Sequence, residues 1–195
     1  AFDFVNGINP LEALGVVDVG DAKVSPGDLE ASYVAIEAAV GAIAETRAVA
    51  VTLGGDGAIA LPEMRALHRV YPDLVTIHID AHTDAYPIEG YNTATAFGRA
   101  AEEGLVDATR SYQIGMRGTT MLPGVGEYGR SLGYNVIPLA ELLERGIAKV
   151  FAEVRAHIGD RPVYLSYDMD FFDPSVAPGV CTPTWGGATS REGLA

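Results

Sequence analysis

The seven residues His78-Ile79-Asp80-Ala81-His82-Thr83-Asp84 put two carboxylates and an imidazole at alternate positions, directly after the apolar run Leu74-Val75-Thr76-Ile77. In an extended backbone alternate side chains share a face, so Asp80, His82 and Asp84 can converge on one point. Carboxylate with imidazole is a ligand set for Mn, Fe, Ni or Zn. A second cluster closes another apolar run, Val163-Tyr164-Leu165, where Asp168 and Asp170 again share a face within Ser166-Tyr167-Asp168-Met169-Asp170. Four aspartates and one histidine on two strand ends suffice to hold two metals with a bridging carboxylate. Any one of these aspartates alone could equally cap a turn or the next helix. All of them together would repel one another without a cation in their midst. By the same parity His78 shares the Asp80 face and can stand behind the ligands.

The elements that must position these clusters alternate along the chain. The pattern predicts strands over 13–19, 48–53, 74–80, 112–116, 136–139 and 163–168. It predicts helices over 26–47, 58–71, 95–103, 124–132 and 139–157, with Ser25 as an N-cap, Pro26 in the first turn and a further helix start at Ser190. Residues 82–93 and the Pro/Gly-rich 173–187 read as loops. Continuous apolar strands separated by helices indicate a mostly parallel sheet covered on both faces, a three-layer α/β/α domain. Ligands of such sheets sit beyond the carboxyl ends of the strands, where both acidic clusters fall.

Composition narrows the partners. The chain has 195 residues, 48% of them hydrophobic, enough for one domain with a sizeable core. A net charge of −13 argues against nucleic acid or an anionic membrane as partner. Cys181 is the only cysteine, which excludes an intrachain disulfide and makes a reducing, cytoplasmic compartment the expectation. No apolar run reaches the roughly 18 residues of a membrane helix. The start, Ala1-Phe2-Asp3-Phe4, does not have the form of a signal peptide and lacks an initiator Met, so a processed or partial chain is expected.

Three motifs together resemble the ureohydrolases, the family of arginase and agmatinase. They are Gly54-Gly55-Asp56 after an apolar run, Asp80-Ala81-His82-Thr83-Asp84, and Ser166-Tyr167-Asp168-Met169-Asp170-Phe171-Phe172-Asp173-Pro174 continuing through Ala177-Pro178-Gly179, Thr182-Pro183 and Gly186-Gly187. The resemblance spans nearly the whole chain and is nearer to agmatinase. It implies an arginase-like three-layer fold, a dinuclear Mn2+ centre, and hydrolysis of a guanidino compound to urea and an amine. It further implies a homo-oligomer, trimer or hexamer. By the same resemblance Asp80 and Asp168 bridge both metals, His82 and Asp170 complete one, and Asp84 binds the other and serves catalysis at the shared hydroxide. The family continues beyond both ends of this stretch, so residues 1–195 are expected to be the central part of a single ureohydrolase-like domain. The continuation includes a carboxylate that binds the substrate guanidinium.

The chain also departs from the family pattern. The family's histidine after Gly-Gly-Asp is Gly57 here, so that metal is either completed by water or a neighbouring side chain, or is weakly held. Thr93, beside Asn92, stands where a proton-transferring histidine is usual, and these two residues are the candidates for substrate binding. Val180-Cys181 replace the usual Thr-Gly; Cys181 is expected to be a small buried hydrophobe. His68 is expected on the surface, His157 at a helix end, and Tyr86 and Trp185 either packed or walling a pocket. Tyr86 follows Asp84 by two positions, where arginases use Asn to hold an α-carboxylate, so the expected substrate is agmatine-like and lacks that group. The main alternative is a catalytically weakened metal- or ligand-binding subunit, which Gly57 and Thr93 favour. A deacetylase-like hydrolase on the same fold is a third possibility.

Overall fold

The computed structural model describes residues 2–195; Ala1 lies outside them. Four parallel strands form one sheet: β1 (Val75–Ile79), β2 (Tyr112–Met116), β3 (Asn135–Pro138) and β4 (Val163–Tyr167), in the order β3-β2-β1-β4. Helices α1 (Pro10–Ala13), α2 (Leu29–Glu45), α3 (Ala60–His68), α4 (Ala96–Glu102), α5 (Val125–Ser131), α6 (Leu139–Arg145), α7 (Ile147–Ile158) and α8 (Ser190–Gly193), with 3-10 turns at Gly57–Ile59, Thr93–Thr95, Ala108–Arg110 and Met169–Phe171, complete the described elements.

Two buried cores make the layers. On one face Leu61 and Met64 of α3 and Phe97 and Ala100 of α4 pack with Tyr33 of α2 and Leu74. On the other, Leu142 of α6 and Val150, Val154 and Ile158 of α7 cover Val75, Ile79, Ile114 and Ile137. Alternation along a strand divides its side chains between two faces, so Val75 and Ile79 enter one core while Thr76 and His78, also buried, point into the other layer. The expected three-layer α/β/α architecture is the observed one.

Strand order also fixes the site. The chain steps from β1 to β2 to β3 in one direction, then returns through α6 and α7 to place β4 on the far side of β1. The order therefore reverses between β1 and β4, and a crevice opens at such a switch point, beyond the strand carboxyl ends. Both aspartate clusters leave the sheet there.

Some expected elements differ. Residues 13–19 are not a strand: Pro10 starts α1, and the following valines, Val16, Val17 and Val19, are exposed without a ladder partner among the described residues. Residues 48–53 likewise form no strand and have no ladder partner among the described residues, with Val49, Val51 and Leu53 at 89%, 82% and 95% exposure. A β-branched composition favours a pleated, half-buried surface but does not supply the neighbouring ladder. The helix predicted over 26–47 begins later because Asp28, not Ser25, accepts from the Ala31 N–H and caps α2. The helix predicted over 139–157 is two, broken at Gly146, whose φ of +88° is outside helical space.

Gly115 interrupts β2 beside an irregularity in its pairing with β3. Its φ is +111°, and a Cβ there would lie 2.5 Å from the Phe171 ring and 2.7 Å from the Asp80 carbonyl oxygen. Only glycine lets β2 approach both residues so closely. Gly115→Ala is expected to cost about 2–4 kcal/mol of stability through strain and overpacking. Urea unfolding measures this, and a loss below about 0.5 kcal/mol contradicts it.

Candidate metal centre

The strand ends are stitched before the side chains converge. The Asp80 N–H donates to the Ile114 carbonyl of β2 at 3.0 Å, and the Asp168 N–H donates to the Ile79 carbonyl of β1 at 2.9 Å. The two acidic segments are thus held in fixed register by backbone bonds of the sheet. Asp168 then caps the 3-10 turn Met169–Phe171, accepting from the Asp170 N–H at 2.7 Å. That turn swings Asp170 toward β1, where its Oδ1 accepts from the Ala81 N–H at 3.0 Å.

His82 faces this carboxylate. Its Nδ1 lies 3.0 Å from Asp170 Oδ2 and 3.2 Å from Asp80 Oδ1, and ligand atoms of Asp80, His82 and Asp170 all fall within 4.8 Å of one another. The outer nitrogen, Nε2, is 3.3 Å from Thr184 Oγ1. One ring nitrogen turned to the carboxylates and the other tied to a hydroxyl is the arrangement that orients a metal-binding imidazole. A second group, His78, Asp80 and Asp84, meets the same 4.8 Å criterion, so Asp80 belongs to both. Asp168 joins neither group but lines the same cavity of about 1120 Å³.

Asp84 is held in a left-handed conformation, φ +45°. Such a conformation persists only where surroundings enforce it. The Asp84 carbonyl accepts from the Phe97 N–H at 2.9 Å and the Gly98 N–H at 3.3 Å, satisfying donors at the start of α4.

The electrostatics show a cluster short of positive charge. Burial, reinforced by the Asp80 charge, pushes the Asp84 carboxyl up to about 7. Burial also raises the Asp168 carboxyl, with the charges of Asp80 and Asp170 adding to it. Hydrogen bonds to Asp170 and Asp80 drive the His82 imidazole up to about 10. Burial opposes ionisation of Asp80, yet the facing His78 and His82 hold its carboxyl well below the ordinary range. A proton on His82 is here the cation that the carboxylates recruit. An imidazole nitrogen and several oxygens around one point fit a divalent transition metal.

The Gly57 departure has a local counterpart. A Cβ at Gly57 would lie 2.8 Å from Thr93 Cγ2 and 3.1 Å from Asp84 Oδ2. The Thr93 methyl thus fills the space a side chain at 57 would enter, while its hydroxyl donates to Asp56. The two missing histidines are neighbours, and one substitution closes the space left by the other. Thr93 borders the cavity; Asn92 does not, and its backbone N–H donates to Thr95 Oγ1 at 3.0 Å.

Arg117, just past β2, locks the outer wall. Its Nη2 donates to the carbonyls of Asp170 (2.7 Å), Thr184 (2.7 Å) and Phe172 (3.2 Å), and its Nε to that of Trp185 (3.3 Å). Asp173 Oδ2 holds the same loop through the N–H groups of Gly186 and Gly187, at 3.0 and 3.2 Å. The roles of Arg117, Thr184 and Phe97 are not legible in the sequence by spacing; a lone arginine after a strand is the only trace of the first. Three expectations change. Cys181 is exposed and lines the cavity, and Trp185, also on the 173–187 loop, is 78% exposed and does not line it. His68 is partly buried, its Nδ1 2.8 Å from the Leu105 carbonyl oxygen. Tyr86 is buried and lines the cavity; Tyr112 OH bonds His157 Nδ1 at 2.7 Å near the end of α7.

Two outcomes follow from this geometry. Metal must displace the proton that His82 carries below about pH 10, so metal affinity is expected to rise with pH through neutrality and binding to release protons. Calorimetry in buffers of different ionisation enthalpy reads the release; heats independent of buffer contradict it. Gly57→His alone is expected to leave metal affinity unimproved because Thr93 blocks the ring, whereas Gly57→His with Thr93→Ser, which removes only the methyl, is expected to tighten it. Equal gains in the two variants, measured by metal titration, would defeat the steric argument.

The chain matches the model of the Arginase family over residues 1–195. It is 40% identical over 192 residues to the guanidinopropionase of Pseudomonas aeruginosa, covering 96% of this chain and 60% of that protein. It is 36% identical over 191 residues to the mitochondrial agmatinase of Gallus gallus, covering 96% and 56%. Among solved structures, the proclavaminate amidino hydrolase of Streptomyces clavuligerus superposes with a TM-score of 0.90 at 31% identity, over 98% of this chain and 65% of that one. The chain therefore spans 56–60% of the length of these two curated relatives.

Proposed function

The chain belongs to the Arginase family, and on that premise we propose that the complete protein hydrolyses a guanidino compound to urea and an amine. The observation that carries this is the convergence of Asp80, His82 and Asp170 at the switch point, with Asp84 beside them. Asp80, His82, Asp84, Asp168 and Asp170 would hold the metal, as the family resemblance implies. Divalent metal bound there, Mn2+ by the family resemblance, supplies Lewis acidity and makes water nucleophilic near neutral pH.

Asp84 is the proposed catalytic carboxylate. With a divalent cation beside it the carboxyl would be held ionised, so that it can accept a proton from water. Asp84 takes the proton of the attacking water as the oxygen bonds to the guanidinium carbon. It returns the proton to the departing nitrogen as that C–N bond breaks; the second proton of the former water is lost as the urea carbonyl forms, and the amine leaves as its ammonium, which carries away the positive charge of the guanidinium. Thr93 at the cavity border contacts substrate rather than titrating, and Asn92 supports it through the turn that follows.

The substrate is a guanidino compound without an α-carboxylate. Tyr86, buried on the cavity wall, presents a ring where a carboxylate-binding amide would be needed. Relatives named guanidinopropionase and agmatinase support the same class. The alternative of a catalytically weakened metal- or ligand-binding subunit draws on Gly57 and Thr93 but gains no support from these relatives.

Urea release by the complete protein from a panel of guanidino compounds tests the proposal. Agmatine-like compounds are expected to outperform arginine, and a preference for arginine refutes the substrate class. Asp84→Asn is expected to lower kcat by about 10²–10⁴, and Asp168→Ala to abolish metal retention. Unchanged metal content in the Asp168 variant would show the ligand assignment to be wrong.

A further inference from the structure

His78 does not belong to the proposed ligand set, yet it is 1% exposed and touches the centre of it. Its Nε2 lies 2.9 Å from Asp80 Oδ2. The other oxygen of that carboxylate, Oδ1, accepts from the His82 N–H at 2.5 Å. Both ends of the Asp80 carboxylate are therefore fixed by donors, and each oxygen keeps a lone pair for a metal.

The ring of His78 is fixed in turn. It stacks on Phe97, centroids 3.9 Å apart and planes 18° from parallel. Phe97 is itself buried at 1% exposure, and its carbonyl accepts from Tyr134 OH at 2.8 Å. The Phe97 N–H is also the donor that holds the Asp84 carbonyl at 2.9 Å, in the left-handed turn described above. One buried stack thus controls the side chain of Asp80 and the backbone of Asp84.

A histidine that merely filled the core would be a poor choice here. His78 Nδ1 has no hydrogen-bond partner among the described residues, although it is buried. An unpartnered buried polar atom costs about 1–3 kcal/mol, which an aliphatic or aromatic side chain at this position would avoid. The cost is accepted at the one position of β1 from which a donor reaches Asp80 Oδ2.

The geometry points to His78 as a positioning residue for the metal centre: it orients the shared carboxylate of Asp80 and, through Phe97, steadies Asp84. This rests on the ligand assignment proposed above and adds to it a residue outside the ligands. Partners of this kind typically change metal affinity by about 10–100-fold when removed.

The test is Mn2+ affinity, measured by calorimetry on the protein and three variants, with the absorption spectrum of bound Co2+ as a second readout. His78→Phe keeps a ring against Phe97 but removes the donor, and is expected to weaken Mn2+ binding by about 10–100-fold and to alter the Co2+ spectrum. His78→Gln places an amide N–H near the Nε2 position and is expected to restore most of the affinity. His78→Asn, equally polar but too short to reach Asp80, is expected to bind as weakly as the Phe variant. If the Phe variant does not fold, the Gln and Asn pair decides, since they differ in reach and not in polarity. Equal affinity in Gln and Asn variants, or unchanged affinity and spectrum in the Phe variant, overturns the inference while leaving the ligand assignment standing. Absence of Mn2+ binding by the unaltered protein overturns both.

Discussion

Bringing several carboxylates to one buried point is the constraint around which the rest of this structure is organised. Asp80, Asp84 and Asp170 are each almost inaccessible, and Asp168 is half-buried beside them. Mutual repulsion at such a place raises carboxyl pKa values unless positive charge and donors answer it. The answers here come from every neighbouring element. The sheet supplies backbone register, the start of α4 fixes the Asp84 backbone through its carbonyl, and His78 of β1 with His82 just beyond it supplies the two imidazoles. Arg117 adds a guanidinium whose hydrogen bonds go to the carbonyls around Asp170, not to the carboxylates. The carboxylates are thereby left open toward the cavity, where a divalent cation would complete the balance.

The same constraint explains why much of the site was legible in the sequence. Residue types and close spacing marked Asp80, His82 and Asp84 as a group, but not by strand alternation: β1 ends at Ile79, the chain bends through 80–84 with Asp84 left-handed, and Asp80 meets His82 and Asp170 in one group and His78 and Asp84 in another. Apolar runs with intervening helices were enough for the three-layer sheet. His78 follows from parity alone. What could not be read is what depends on the path of loops. Nothing local tells that Thr93 would press against Gly57 across 36 residues, or that Arg117 would reach the carbonyls of a loop more than 50 residues later. The helix break at Gly146 was available in principle, but periodicity continues on both sides of it. The strands expected at 13–19 and 48–53 failed for a different reason. Strand propensity is a statement about a half-buried neighbourhood, and those residues have none here.

The paired change at 57 and 93 bears on how the centre varies. With histidine at neither position, Thr93 ties its hydroxyl to Asp56 and its methyl against the Gly57 backbone. The packing is self-consistent, so the loss of a nitrogen donor at one corner does not leave a void beside Asp84. A metal held beside Asp84 would gain no nitrogen donor from position 57.

The outer edge of the sheet carries a separate consequence. β4 has β1 on one side only, and Val163, Leu165 and Tyr167 are 43%, 58% and 39% exposed. Across the cavity the unpaired 48–53 segment presents Val49, Val51 and Leu53. Natural edges are usually blunted by inward charges, proline or a bulge, but between Pro162 and Asp168 this one has no charged residue and no proline. An open edge without charge or proline is a template for strands of other molecules, so edge-to-edge association is the expected consequence. Its charge of −13 then acts as the colloidal counterweight, and added salt, by screening that charge, promotes self-association.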